Sequence, residues 1–276
     1  MVLTVALLVG CGGSNDTSGG SGGGGNGSGG SPTHVHGTLL QNPPVLLSTT
    51  SAADLLAQVT TDAGSMSFGT QVVAQVLTLA GTPPCHVQVF HIEYNTVGGA
   101  GETTTASGAL MVPAGTDSSC KGPRPVLLYA HGTTTDRNFN IADLTNQTND
   151  EGVLLAVFFA ARGYIVVAPN YAGYDTSSLT YHPFLVAAQQ SQDMIDALTA
   201  ARSALPMGSG VGDNGQLFIT GYSQGGYVAM ATHRAMQAAG MTVTASAPMS
   251  GPYALAAFVD AEFEGDVSGG APVVAT

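Results

Sequence analysis

Gln216-Leu-Phe-Ile-Thr-Gly-Tyr-Ser-Gln-Gly-Gly-Tyr-Val-Ala-Met-Ala-Thr-His-Arg-Ala-Met-Gln-Ala-Ala-Gly240 packs three elements into one short stretch. Gln216–Thr220 is an apolar run of strand length, and the run from Gly226 is helical and closes on Gly240, a common helix-ending residue. Only Gly221-Tyr222-Ser223-Gln224-Gly225 lies between them. The chain must therefore turn sharply from strand into helix, holding Ser223 in strained backbone with its hydroxyl at the carboxyl edge of a sheet. Glycines two before and two after the serine remove side chains that would clash in such a turn.

The flanking sequence repeats this grammar. Val126-Leu-Leu-Tyr-Ala130 is a continuous apolar strand, Glu151 to Arg162 an apolar helix closed by Gly163, and Tyr164-Ile-Val-Val-Ala168 the next strand. His182 to Leu205 contains a long helix, and Val243 to Pro248 is a further strand. Strands alternating with helices imply right-handed crossovers and a mostly parallel sheet covered on both faces. Before this, Val87–Val97 and Thr104–Val112 read as a hairpin joined through Gly98-Gly99-Ala100-Gly101. Two short helices are expected over 51–62, capped by Ser51 or Thr50, and over 67–80, both packing outside the sheet.

A pentapeptide of the G-x-S-x-G type arises by chance in a chain with 38 glycines. Its placement at a strand-to-helix junction is what gives it weight. His131-Gly132-Thr133-Thr134-Thr135 follows the Val126–Ala130 strand, and loops at strand carboxyl ends face one crevice. Over roughly residues 86–255 this order resembles the α/β-hydrolase fold. The runs Tyr129-Ala-His-Gly-Thr-Thr134, Ala168-Pro-Asn-Tyr-Ala-Gly-Tyr-Asp175 and His182-Pro-Phe-Leu185 resemble bacterial secreted lipases and esterases. The resemblance implies Ser223 as nucleophile. It also implies an oxyanion hole from the backbone N–H of Gln224 and of Thr133, with Gly132 as the next candidate. His131 is expected to shape its loop and to transfer no proton. The implied activity is that of a serine carboxylesterase or lipase, with polyesters among the conceivable substrates, acting on a neutral ester through an acyl-enzyme.

A serine of this kind needs a base, and in this fold the order is Ser, then Asp or Glu, then His. The only later histidine, His233, stands ten residues on in the same helix, roughly 15 Å away at about 1.5 Å per residue. His34, His36, His86, His91, His131 and His182 all precede the serine. The expectation is a chain truncated at its C-terminus, with the triad acid and histidine on two strands beyond Thr276. Asp260, Glu262, Glu264 and Asp266, interspersed with Phe258 and Phe263, read as a cap beginning near Leu255 more than as a triad acid. Asp193 and Asp196, on the long helix, read as capping or solvated, and Asp175 also precedes the serine. Two rival readings stand beside the esterase: a peptidase or acyl hydrolase on the same fold, and a non-catalytic hydrolase-like surface lipoprotein.

The chain has 276 residues, 44% hydrophobic and 9% charged, so its polar surface is made largely of uncharged residues, as in exported proteins. Six Lys+Arg against eighteen Asp+Glu give a net charge of −12, which excludes nucleic acid as partner and disfavours anionic substrates. Residues 1–10 read as the end of an export signal, too short to span a bilayer, and Leu8-Val9-Gly10-Cys11 resembles a lipobox. No basic residue precedes Leu3, so either the true start lies upstream or the signal is plainly secretory. Residues 11–37 form a Gly/Ser-rich flexible linker, reaching about 25 Å over its roughly 20 most biased residues, and 38–276 the hydrolase domain. The expected location is secreted, or anchored at the bacterial envelope through a lipid on Cys11. Of three cysteines Cys11 is then the odd one, leaving Cys85 and Cys120 to pair; two buried free thiols are the alternative. No metal site or cofactor is indicated: His34-x-His36 is a weak pair, and the glycine tract follows no strand and carries no Lys.

Overall fold

The computed structural model describes residues 34–62, 75, 81–146, 150–208 and 210–265. Seven strands form one sheet: β1 Val45–Thr50, β2 His86–Val97, β3 Thr103–Ala114, β4 Pro123–Ala130, β5 Ile165–Pro169, β6 Gly212–Tyr222 and β7 Ala245–Met249. The helices are α1 Ala52–Asp62, α2 Asp150–Phe158, α3 Ala187–Ala204, α4 Gln224–Ala238 and α5 Leu255–Glu264. The expected helix over 67–80 lies outside the described residues, Gln75 excepted.

The spatial order is β1-β2-β3-β5-β4-β6-β7, with β1, β2, β3 and β5 successively antiparallel and β5, β4, β6 and β7 mutually parallel. This is an α/β-hydrolase fold, with a mixed sheet whose central strands are parallel. The crossover β4–α2–β5 moves one way along the sheet, whereas β5–α3–β6 and β6–α4–β7 move the other. Right-handed crossovers then put α2 on one face and α3 and α4 together on the opposite one. The direction reverses around β4 and β6, which are neighbours. The crevice at their carboxyl ends is thus the switch point where α/β sheets hold ligands.

Strand chemistry follows position. Ile165–Pro169, covered on both faces, is buried throughout, and Val126–Ala130 of β4 likewise. At the sheet edge, β1 leaves Val45, Leu46 and Leu47 exposed. Ser51 caps α1, its Oγ accepting the Asp54 N–H at 3.1 Å, and Leu55 and Val59 on the inner face of α1 are fully buried. Cys85, at the start of β2, is bonded to Cys120.

One boundary needs correction. Of the linker expected over 11–37, His34–Gly37 is instead docked on the domain, and residues 11–33 lie outside the described residues. His34 Nε2 meets the Thr104 carbonyl, His36 Nδ1 lies 3.0 Å from Asp196 Oδ2, and the Gly37 N–H donates to the Asn95 carbonyl. These residues show no strand or helix periodicity, but their hydrogen bonds reach β2, β3 and α3.

Candidate active site

Ser223 is the single residue between β6 and α4, and its backbone is held at φ 56°, ψ −121°. A non-glycine residue there carries about 1–3 kcal/mol of strain, which persists only where the surroundings enforce it. They do so at both ends. The Ser223 N–H donates to the Met249 carbonyl at 3.0 Å, while its own carbonyl accepts from the N–H of Gly226 and Tyr227. The turn also presses on β4: a Cβ on Gly225 would run into the Ala130 carbonyl, and one on Gly221 into the Gly225 carbonyl. The G-x-S-x-G spacing thus has a direct steric cause. No described side chain hydrogen-bonds the Ser223 hydroxyl.

Beside the elbow lies the loop after β4. His131 is 1% exposed and stacks on Tyr171, with ring centroids 4.1 Å apart. Its two ring nitrogens face the Gly132 and Asn170 carbonyls at 2.6 and 3.1 Å, and its own carbonyl accepts the Tyr171 hydroxyl. Burial pushes its pKa down to about 4, so the neutral ring serves one of these carbonyls at a time. His131 is sealed into the loop. The Gly132 N–H is engaged by Glu151, with Oε1 at 3.1 Å and Oε2 at 3.2 Å. The next amide of the loop, that of Thr133, has no acceptor among the described residues.

Gln224 begins α4, where first-turn amides have no intrahelical acceptor and the helix dipole favours negative charge. Its side chain is 2% exposed and donates from Nε2 to His182 Nε2 at 2.7 Å. His182 Nδ1 donates in turn to the Ala172 carbonyl at 3.0 Å. Because a carbonyl can only accept, the proton sits on Nδ1 and Nε2 is the acceptor. Burial lowers this histidine to about 4, which keeps that tautomer neutral, and Tyr174 flanks its ring at 4.6 Å. The sequence offered no signal for this role: His182 and Gln224 meet across 42 residues.

The other candidates are placed elsewhere. His233 Nδ1 hydrogen-bonds Ser246 Oγ on β7 at 2.7 Å. Asp260 and Glu264 lie exposed on α5, and Asp266 is outside the described residues, as are Cys11 and the export segment. The expectation that Asp193 and Asp196 are capping or solvated is overturned: they are 0% and 2% exposed. Asp193 accepts from the Tyr94 hydroxyl and the Ala172 N–H, Asp196 from Thr96 and Gln192. The polar side of α3 faces the sheet here, and polar residues of β2 meet it, so periodicity alone misassigned it. Ser107, Asp175 and His91 also cluster, yet Ser107 Oγ and His91 Nε2 both contact Asp175 Oδ2 at 2.7 Å. Both groups meet the acid, and among the described residues no histidine contacts the Ser107 hydroxyl, so the order of a Ser–His–Asp relay is not present here. Among the described residues no set of three or more His, Cys, Asp or Glu is placed to hold a metal ion.

Comparison with known proteins bears on the family and the fold. Residues 154–254 match the model of the prolyl oligopeptidase family. The rice cell wall degrading esterase LipA from Xanthomonas oryzae superposes with a TM-score of 0.66 at 34% identity, over 82% of this chain and 53% of that one. The chain thus spans about half the length of this solved relative. A protein from Legionella pneumophila, 24% identical, shares the fold with a TM-score of 0.61 over 78% of this chain and 52% of its own. No curated protein matches the chain. The chain resembles the LipA esterase in sequence and shares its fold.

Proposed function

We propose that this α/β-hydrolase chain carries the nucleophile and oxyanion half of a carboxylic-ester hydrolase site. The observation that carries the reading is Ser223 at positive φ on the strand-to-helix turn; the N–H groups of Gln224 and Thr133 have no acceptor among the described residues. Ser223 Oγ attacks the ester carbonyl, its proton passing to a base that no described residue supplies at hydrogen-bond distance. The carbonyl π electrons move onto oxygen, and the two N–H groups stabilise the oxyanion at the positive end of α4. Expulsion of the alcohol leaves an acyl-enzyme that water hydrolyses. Each preorganised donor of this kind contributes about 10²–10³ in rate.

The test is hydrolysis of p-nitrophenyl butyrate. Ser223→Ala is expected to lower kcat by at least about 10³ with the fold intact by circular dichroism; an undiminished rate would refute the assignment. The match to a peptidase family supports a second reading, amide hydrolysis at the same serine. Turnover of an acylaminoacyl p-nitroanilide faster than of the ester would favour it. For location, the Cys85–Cys120 disulfide supports an oxidising compartment and hence export. Anchoring through Cys11 predicts metabolic labelling by palmitate that Cys11→Ala abolishes.

A further inference from the structure

Tyr129, Gly132 and Glu151 lie on three successive elements: the end of β4, the loop after it, and the first turn of α2. Glu151 is partly buried, and among the described residues no cation pairs with it. Instead Tyr129, 8% exposed, donates its hydroxyl to Oε2 at 2.6 Å, and the Gly132 N–H points between the two carboxyl oxygens. Burial raises the carboxyl above its usual range while the two donors pull it back. A Cβ at 132 would sit 2.9 Å from Glu151 Oε1, so the carboxyl would have to shift to admit it, and in ordinary contact with the Tyr222 carbonyl at 3.7 Å. A carboxyl group placed beside a site where negative charge is to develop is electrostatically adverse. Its geometry, however, fixes the one peptide that leads from His131 into Thr133.

We propose that Glu151 is a positioning residue that, braced by Tyr129, captures the Gly132 amide and so aims the next amide, that of Thr133, at the carbonyl attacked by Ser223. The assignment rests on the esterase reading above. Gly132 is accordingly removed from the set of oxyanion donors and becomes the pivot of the loop. In an apolar site an unheld amide would rotate toward whatever acceptor is nearest. The rate gain of an oxyanion donor is lost when it is misplaced by about 1 Å.

The experiment compares Glu151→Ala and Glu151→Gln with the unaltered chain, by amide hydrogen exchange and by p-nitrophenyl butyrate kinetics. In Glu151→Ala the Gly132 amide should exchange at least about tenfold faster while Leu127 and Leu128 of β4 keep their rates. In the same variant kcat should fall about 10²-fold with KM within about twofold. Glu151→Gln retains an oxygen for Gly132 and an amide N–H for the Tyr129 oxygen, and should restore both readouts to within about fivefold. Unchanged Gly132 exchange in Glu151→Ala, or an unchanged kcat, overturns the proposal; so does a fall in KM and kcat that the glutamine variant fails to rescue. If the unaltered chain hydrolyses no ester, the base that no described residue supplies accounts for it. Fluorophosphonate labelling then tests Ser223, and the exchange comparison alone decides whether Glu151 holds the loop. Should Glu151→Ala not fold, Tyr129→Phe removes one brace and keeps the ring in the core. A several-fold faster Gly132 exchange is then expected, and no change overturns the assignment.

Discussion

At Gly225 one hydrogen atom separates a working turn from a collision. The Ala130 carbonyl of β4 occupies the space a methyl group would need; Ala130 is held by its pairing with Gly221, and Gly225 by the first turn of α4, so neither yields cheaply. Gly225→Ala is expected to cost about 3 kcal/mol by denaturant titration, at the upper end of overpacking penalties, and to abolish labelling of Ser223 by a fluorophosphonate. Ala at the exposed Gly101, where a Cβ meets nothing within 4 Å, should cost far less despite its φ of 83°. The contrast shows what was legible in the sequence at this scale. Ser223 and its flanking glycines could be read because their reason is local: a tight turn needs small residues at fixed offsets. Glu151 and His182 could not, because their partners lie 19 and 42 residues away and no offset rule connects them.

The elements divide along the same line. Strands β4, β5 and the core of β6 are continuous apolar runs because helices cover both faces, and such runs announce themselves. The edge strand β1 does not: Val45, Leu46 and Leu47 are exposed, its pairing with β2 is interrupted by an irregularity between Leu46 and Ser48, and no alternation betrays an inner face. Likewise β6 begins at Gly212, four residues before its apolar core, since Gly212 and Asp213 pair with Pro123 and Arg124 of β4 without being fully buried. The Cys85–Cys120 bond ties the start of β2 to the segment entering β4 and closes a loop of 35 residues. Closure of that length restricts the unfolded chain by about 4 kcal/mol in the loop-entropy account. The Cys85→Ser/Cys120→Ser double variant should therefore lose up to about that much in urea unfolding. A loss below about 1 kcal/mol would mean that the unfolded chain is already confined there.

For the molecule as a whole, acidity is the dominant electrostatic fact, with a net charge of −12 and carboxyl groups carried into the interior. Asp193 is wholly buried between β2 and α3, and that burial raises its pKa from 3.8 to about 7, against hydrogen bonds from Tyr94 and Ala172 that favour the ionised form. Between pH 4 and 7 the folded state holds this proton and the unfolded state has released it. Stability from this group is thus complete below about pH 4 and is lost as pH rises through about 7. At 1.36 kcal/mol per unit the loss is on the order of 4 kcal/mol at most. His131 and His182 act with the opposite sign, because burial lowers both to about 4 and unfolding lets them take up protons below about 6.5. Over the range from pH 4 to 6.5 the two histidines and the aspartate oppose one another, which flattens the stability profile. Asp193→Asn removes one side of that balance and still offers an oxygen to the Ala172 N–H and an amide to the Tyr94 oxygen. Thermal melts from pH 4 to 8 should show the variant gaining on the unaltered protein as pH rises to about 7, and running parallel to it above. A difference between the two that is constant across the range would mean that Asp193 is ionised in the folded state at every pH tested.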